Sequence, residues 1–214
     1  MVWLFDYDLT LYGFDEGEVL WSLDRNITRF LEVRMGMTLA EADATRREYC
    51  SKYGTTLGGL RVLHGVQPHD YFDFIHAGEQ LKKPEFSAAK IALLNSLPGE
   101  RYVFTNARRD WAERGLESMG ITSCFRGVFD IETFAWNSKP APQVYAQVET
   151  LVGASGANII FLDDKPENLQ PARELGWKTV LVHPEAATMD IPCDLKLKHL
   201  LDLDAQAISA LCRG

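Results

Sequence analysis

The sequence predicts an α/β protein: a doubly wound parallel (Rossmann-like) sheet carrying an inserted α-helical cap. Two observations predict the sheet. Short apolar runs rich in β-branched and aromatic residues recur along the chain, and amphipathic helix-like segments separate them. A third observation predicts the insert. From about Phe14 to Lys83 the pattern is helical throughout, with no strand-like run.

The first run, "VWLF" from Val2, is short and wholly apolar, as a strand buried on both faces should be. In the insert, "VLWSLDRNITRFLEVRMG", "TLAEADATRREYCSKYG" and "PHDYFDFIHAG" each read as a helix. The segment "PEFSAAKIALLNSLPG" begins at Pro84 and closes at Pro98-Gly99, which punctuate a helix at its start and end. The run "RYVFT" gives the second strand, "RRDWAERGLESMGI" a glycine-closed helix, and "RGVFD" the third strand. "APQVYAQVETLVGA" reads as a helix, "NIIFL" as a strand, "ENLQPARELGW" as a helix ending at Gly176, and "KTVLV" as a strand. Residues 1–13 and 84–214 are therefore expected to form the α/β core, and residues 14–83 the helical cap inserted after the first strand. Ligands of such sheets bind beyond the carboxyl ends of the strands, so an insert leaving from that end is a candidate lid. The chain crossings near Tyr12-Gly13 and Lys83-Pro84 would be its hinge.

With 214 residues, 46% hydrophobic and 24% charged, the chain suits one large domain or a domain with an insert. A net charge of −8 argues against a nucleic-acid polymer as partner, because gripping that backbone needs clustered Lys and Arg. It leaves a small phosphorylated substrate open, since a local site can be positive on an acidic surface. Cys50, Cys124, Cys193 and Cys212 match neither a zinc nor a CxxC spacing and are expected to be reduced thiols. No apolar stretch reaches the ~20 residues of a membrane span, and the N-terminal run is too short and too acidic for a signal peptide. A cytoplasmic protein is expected.

The chemistry-bearing residues fall at the strand ends. Asp6, Asp8 and Thr10 follow the first run, Thr105 and Asn106 the second, and Asp163 and Asp164 the run "NIIFL". Lys139 stands in "SKPAP", just ahead of a helix. Each piece alone has an ordinary reading: solvated acids, a helix-capping threonine, a surface lysine, a dipole-favoured helix start. All four in order, with complementary charges, point to a site. The aspartates are hard oxygen ligands suited to Mg²⁺, which would let neighbouring carboxylates stay ionised. One Asp could then attack phosphorus, with Lys139 and the metal neutralising charge and the Thr105 hydroxyl holding phosphate. A second Asp, two residues on, could protonate the leaving alkoxide and later activate water.

In the order "DYDLT", "FTN", "SKPAP" and "FLDDKPEN", these residues resemble the motifs of the haloacid dehalogenase-like (HAD) hydrolase superfamily, over essentially the whole chain. The resemblance implies Asp6 as nucleophile and Mg²⁺ ligand. It implies Asp8 as acid/base with its backbone carbonyl on the metal, Thr105 as phosphate binder and Lys139 as charge stabiliser. Asp164 would be a direct ligand and Asp163 would act through a water. Asn106 would touch phosphate or the acid/base. Dehalogenases of this fold lack the second Asp, so keeping Asp8 and the acidic pair argues for phosphoryl chemistry.

The segment "YGTTLGGLRVLHG", with "FDFIHAG" and "FTNARRDWAERGLESMGI", is similar to the pyrimidine 5′-nucleotidase branch. That implies hydrolysis of nucleoside monophosphates such as UMP or CMP, with Tyr53, Thr55, Thr56 and Arg61 facing substrate, and Gly58 and Gly59 allowing close approach. The same string also reads as one helix stopped at Gly54 and the next started by a threonine. Alternatives at this level are a phosphatase for a sugar phosphate or another nucleotide, a metal-independent dehalogenase, and a non-catalytic binding protein on this fold. The histidines, the tryptophans and the pair Arg108-Arg109 read mainly as packing or solvated groups.

Overall fold

The computed structural model describes residues 1–78 and 81–213. Six parallel strands form one sheet: β1 (Val2–Phe5), β2 (Glu100–Phe104), β3 (Gly127–Phe129), β4 (Ile159–Asp163), β5 (Lys178–Val182) and β6 (Leu195–Leu197). Their order across the sheet is β3-β2-β1-β4-β5-β6. This is the doubly wound order whose direction reverses between β1 and β4, where a crevice opens at the carboxyl ends. In register, Phe5 of β1 lies beside Val103 of β2 and Leu162 of β4. The backbone N–H of Asp6 extends the ladder to the Leu162 carbonyl at 2.9 Å.

The pleat sends alternate residues of β1 to opposite sides. Trp3 and Phe5 join one apolar layer with Leu94, Val103 and Leu116, while Val2 and Leu4 join the other with Phe104, Val144 and Phe161. Both faces are thus covered, which is why the central strands β1 and β4 carry no polar alternation.

Four helices follow β1: α1 (Glu18–Met35), α2 (Leu39–Tyr53), α3 (Thr56–His64) and α4 (Pro68–Ile75). Their boundaries are written in the sequence. Thr38 and Glu41 make a reciprocal capping box at the start of α2, and Gly36 ends α1 in the left-handed conformation. Thr55 caps α3, accepting from the Gly58 N–H at 2.9 Å, while Pro68 opens α4. Gly59 lets α3 close on α2: a Cβ there would stand 2.3 Å from the Tyr49 ring. The core helices α5 (Ala88–Ser96), α6 (Arg109–Met119), α7 (Pro142–Val152) and α8 (Pro166–Glu174) alternate with the strands as the sequence leads one to expect. The C-terminal β6 and α9 (Ala205–Cys212) have no counterpart in the sequence reading.

Glu16 fastens the two chain crossings together. One of its oxygens accepts from the Glu85 backbone N–H at 2.8 Å, and the other pairs with the buried Lys90 at 2.8 Å. Among the described residues all four cysteines are free, and no helix is long and apolar enough to cross a membrane.

Candidate active site

Asp6 follows β1 and Asp163 closes β4, so the two strands flanking the reversal point deliver both carboxylates to the same crevice. Between them lies the ammonium of Lys139, which is 1% exposed. It donates to Asp6 Oδ1 at 2.9 Å, Asp163 Oδ2 at 2.6 Å and the Phe104 carbonyl at 2.8 Å, so all three N–H groups are used. The Phe104 and Phe161 rings stand 5.0 and 5.1 Å from it, adding a cation–π contribution.

Lys139 comes from the loop between β3 and α7, and Asn106, just after β2, pins that loop. The Asn106 amide donates to the Lys139 carbonyl at 3.0 Å and accepts the Lys139 N–H at 2.8 Å. Both ends of Asn106 are therefore engaged with backbone, which makes it a positioning residue for Lys139. Thr105 is buried, and its Oγ accepts the Ala107 N–H at 3.0 Å. None of the described residues accepts its proton, which stays free to donate.

Asp163 is saturated. Besides Lys139 it accepts from Asn168 Nδ2 at 2.9 and 3.1 Å and from the Lys165 N–H at 2.9 Å. Asp164, next in sequence, is buried yet carries no hydrogen bond or ion pair among the described residues. One oxygen from each of Asp6, Asp163 and Asp164 lies within 4.8 Å of the others. Three buried carboxylates thus meet one buried ammonium.

The electrostatics follow from that count. Burial pushes the Asp6 carboxyl up to about 7; Lys139 pulls it back, while Asp163 and Asp8 push it further. Burial, with Asp163 and Asp6, holds Asp164 well above the usual carboxylate range. Burial would lower Lys139, but Asp163 and Asp6 outweigh it and raise the ammonium. The cluster lacks positive charge, and Asp164 points an unpaired carboxylate into it. An oxygen-only donor set of this kind fits a hard divalent cation such as Mg²⁺.

Asp8 stands apart from the cluster. The turn over residues 6–12 passes through Leu9 in the left-handed conformation, φ 60°. Asp8 Oδ1 accepts from Tyr12 Oη at 2.5 Å and Trp111 Nε1 at 3.0 Å. Burial raises its carboxyl, and those two donors oppose the rise. The Thr10 hydroxyl is buried with no partner among the described residues.

A cleft of 1350 Å³ separates the four-helix segment from the core. Tyr53, Gly54 and Arg61 line one wall, and Trp136, Ser138 and Lys165 the other. Arg61 reaches across to donate to the Trp136 carbonyl at 2.7 Å. Gly54 has φ +77°, and a Cβ there would stand 2.9 Å from the Lys139 carbonyl oxygen, so the α2–α3 turn rests directly on the lysine loop.

Several expectations for the cap need correction. Tyr53 and Arg61 do line the cleft, but Thr56 does not face it. Thr56 is 3% exposed, and its hydroxyl lies 3.4 Å from Cys50 Sγ, because the first turn of α3 directs it inward. The Thr55 hydroxyl is occupied as a helix cap, and Gly59 serves packing against Tyr49. Arg108 is not free either. It pairs with Asp110 at 2.6 Å and Asp73 at 2.7 Å.

Sequence reasoning passed over Trp111, Tyr12 and Asn168. Trp111 is 3% exposed, as packing would have it, but its indole N–H serves Asp8. A buried indole needs an acceptor, and that requirement was the available signal. Tyr12, four residues after Asp8, could have been found from a one-turn return of the chain; the Leu11 N–H to Tyr7 carbonyl bond marks that turn.

Comparison with known proteins agrees with the fold. A family model described as haloacid dehalogenase-like hydrolase matches residues 18–176. The enolase-phosphatase E1 of Persephonella marina is 36% identical over 62 residues, which are 29% of this chain and 26% of that protein's length. The chain therefore spans about a quarter of that relative. The HAD phosphatase of Thermococcus onnurineus superposes with a TM-score of 0.64 at 14% identity, covering 94% of this chain and 95% of that one. The L-2-haloacid dehalogenase of Xanthobacter autotrophicus gives 0.57 at 18% identity, covering 94% and 96%. At these identities the structural matches speak for the fold, which phosphatases and dehalogenases share.

Proposed function

From a chain that belongs to the haloacid dehalogenase-like hydrolase family, we propose a Mg²⁺-dependent phosphatase that works through a phosphoryl group on Asp6, with pyrimidine nucleoside 5′-monophosphates as its substrates. The observation that carries the reading is the separation of the aspartates. Asp6 sits in the charge cluster against Lys139, while Asp8 is held outside it with Oδ2 free of hydrogen bonds among the described residues. A nucleophile and a separate proton carrier are what phosphate-ester hydrolysis through a covalent intermediate requires.

Asp6 Oδ2 attacks phosphorus as the bond to the leaving oxygen breaks, and Asp8 gives its proton to that oxygen. Water then attacks phosphorus, Asp8 takes up a proton, and the bond to Asp6 breaks to release inorganic phosphate. Lys139 holds Asp6 in place and balances its charge. The Thr105 proton is available to a phosphoryl oxygen. Asp6, Asp164 and the Asp8 backbone carbonyl would hold Mg²⁺, while Asp163, its oxygens already taken by Lys139, Asn168 and the Lys165 N–H, would keep Lys139 in place beside them rather than act through a water. Bound there, the cation offsets charge on the attacking carboxylate and the phosphoryl oxygens.

The substrate preference rests on the likeness of the "YGTTLGGL" segment to pyrimidine 5′-nucleotidases and on Tyr53 and Arg61 in the cleft wall. A soluble cytoplasmic enzyme acting on a small metabolite, with residues 14–83 as a cap over residues 1–13 and 84–214, completes the reading. The test is phosphate release from UMP, CMP, dUMP, AMP, GMP, glucose 6-phosphate and p-nitrophenyl phosphate, with Mg²⁺ and with EDTA. Preference for pyrimidine monophosphates, abolished by EDTA, is expected. Mg²⁺-dependent release without that preference would remove the substrate assignment and keep the chemistry.

A further inference from the structure

Asp8 Oδ1 accepts two hydrogen bonds, from Trp111 Nε1 at 3.0 Å and Tyr12 Oη at 2.5 Å. Both donors are buried, at 3% and 0% exposure. Trp111 lies in the first turn of α6, a different element from the turn after β1 that carries Asp8. An indole N–H only donates, so it makes the same bond whether or not Asp8 carries a proton, and that proton is left to Oδ2.

The indole is itself held by the four-helix segment. The ring of His76, at the C-terminal end of α4, stacks on it with centroids 5.5 Å apart and planes inclined by 21°. His76 Nδ1 also meets the carboxylate of Asp110, the residue before Trp111, at 3.1 Å. Arg108 joins the same corner to Asp73 of α4 at 2.7 Å. The end of α4 is thus bolted to the start of α6, with Trp111 between the bolt and Asp8.

We infer that Trp111 is a positioning residue for Asp8: its N–H fixes Oδ1, leaves Oδ2 for proton transfer, and ties the acid/base to the seat of α4 through His76. The inference rests on the acid/base reading of Asp8. Its signature is dependence on the leaving group. Phenolate is a poor leaving group that gains from a well-aimed proton, whereas p-nitrophenolate departs with little help. Because kcat/KM covers the steps up to departure of the leaving group, it isolates this effect from the later hydrolysis of phosphoenzyme.

The experiment measures kcat/KM for phenyl phosphate and p-nitrophenyl phosphate in Trp111→Phe, Tyr12→Phe and Asp8→Asn, with thermal unfolding as the check on folding. A further variant carries benzothienylalanine at position 111, in which sulfur replaces the N–H of an otherwise indole-shaped ring. It separates the hydrogen bond from packing, and it carries the test should Trp111→Phe fail to fold. The expected result is a loss on phenyl phosphate about ten- to hundredfold larger than on p-nitrophenyl phosphate, as for a lost hydrogen bond to a charged group. Equal losses on both esters, or no loss, would overturn the positioning role while Asp8→Asn still discriminates between them. If Asp8→Asn itself shows no discrimination, the acid/base reading fails and the positioning role falls with it.

Discussion

Lys139 and Lys165 stand in neighbouring parts of the same molecule and live very different lives. Lys139 commits all three N–H groups to named oxygens within 2.9 Å and is 1% exposed. Lys165 lines the cleft, is exposed, and makes no side-chain hydrogen bond among the described residues. The difference runs through both regions. In the charge cluster Asp6, Lys139 and Asp163 fix one another, as a centre that must not reorganise during reaction should do. The cleft walls meet through contacts such as that of Gly54 with the lysine loop and the Arg61 to Trp136 bond. On the proposed function, the first region carries the chemistry and the second the substrate choice.

Substitutions can break or sharpen that contrast. Asp6→Asn removes the attacking oxygen while keeping shape, and turnover should fall about 10⁴-fold or more. Circular dichroism and melting should show a folded protein. Turnover near wild type, free of contaminating enzyme, would remove Asp6 from its role. Lys139→Met deletes the shared cation of Asp6 and Asp163. Turnover should fall about 10²- to 10³-fold, and urea titration should show a cost of about 3–5 kcal/mol from the two uncompensated carboxylates.

Smaller effects test the cleft. Gly54→Ala places a Cβ 2.9 Å from the Lys139 carbonyl oxygen at φ +77°. Left-handed strain alone costs about 1–2 kcal/mol, and a fall in kcat accompanying the stability loss would show that this turn seats the lysine loop. Tyr53→Ala should raise KM several-fold with little change in kcat, because Tyr53 lines the cleft away from the cluster. Thr56→Val should leave KM unchanged and cost about 1 kcal/mol or less, since its hydroxyl faces Cys50 inside the helical segment. A KM effect from Thr56→Val as large as that from Tyr53→Ala would return Thr56 to the cleft wall.

How much the sequence disclosed follows the same division. The strands β1 to β5 were legible because each carries a short apolar run, continuous in β1 and in β4 up to its closing Asp163, where burial on both faces demands that pattern. The run "KTVLV" coincides with β5 residue for residue. β6 was missed because "LKL" is short, with a charge at its centre. The cluster was legible because Asp6, Asp163 and Asp164 end strands, and strand ends converge wherever the sheet is parallel. The reach of Lys139 could not be read, since it depends on a loop pinned by Asn106 from a different strand. Trp111 escaped because a buried tryptophan in an amphipathic helix looks like core until its acceptor is known. Thr56 was misplaced for a related reason: adjacent threonines at a helix start face different ways, and the cap takes one while the interior takes the other.

The central claim is that Asp6 forms a bond to phosphorus. The direct measurement uses Asp8→Asn, which lacks the group that activates water and should let the phosphoenzyme accumulate. The variant is mixed with p-nitrophenyl phosphate and Mg²⁺, quenched in acid and analysed by peptide mass spectrometry. The account predicts one phosphoryl group on the N-terminal peptide, mapped to Asp6 and absent from Asp6→Asn. Nitrophenolate release by the variant with no phosphorylated peptide, or with the phosphoryl group on another residue, would contradict it.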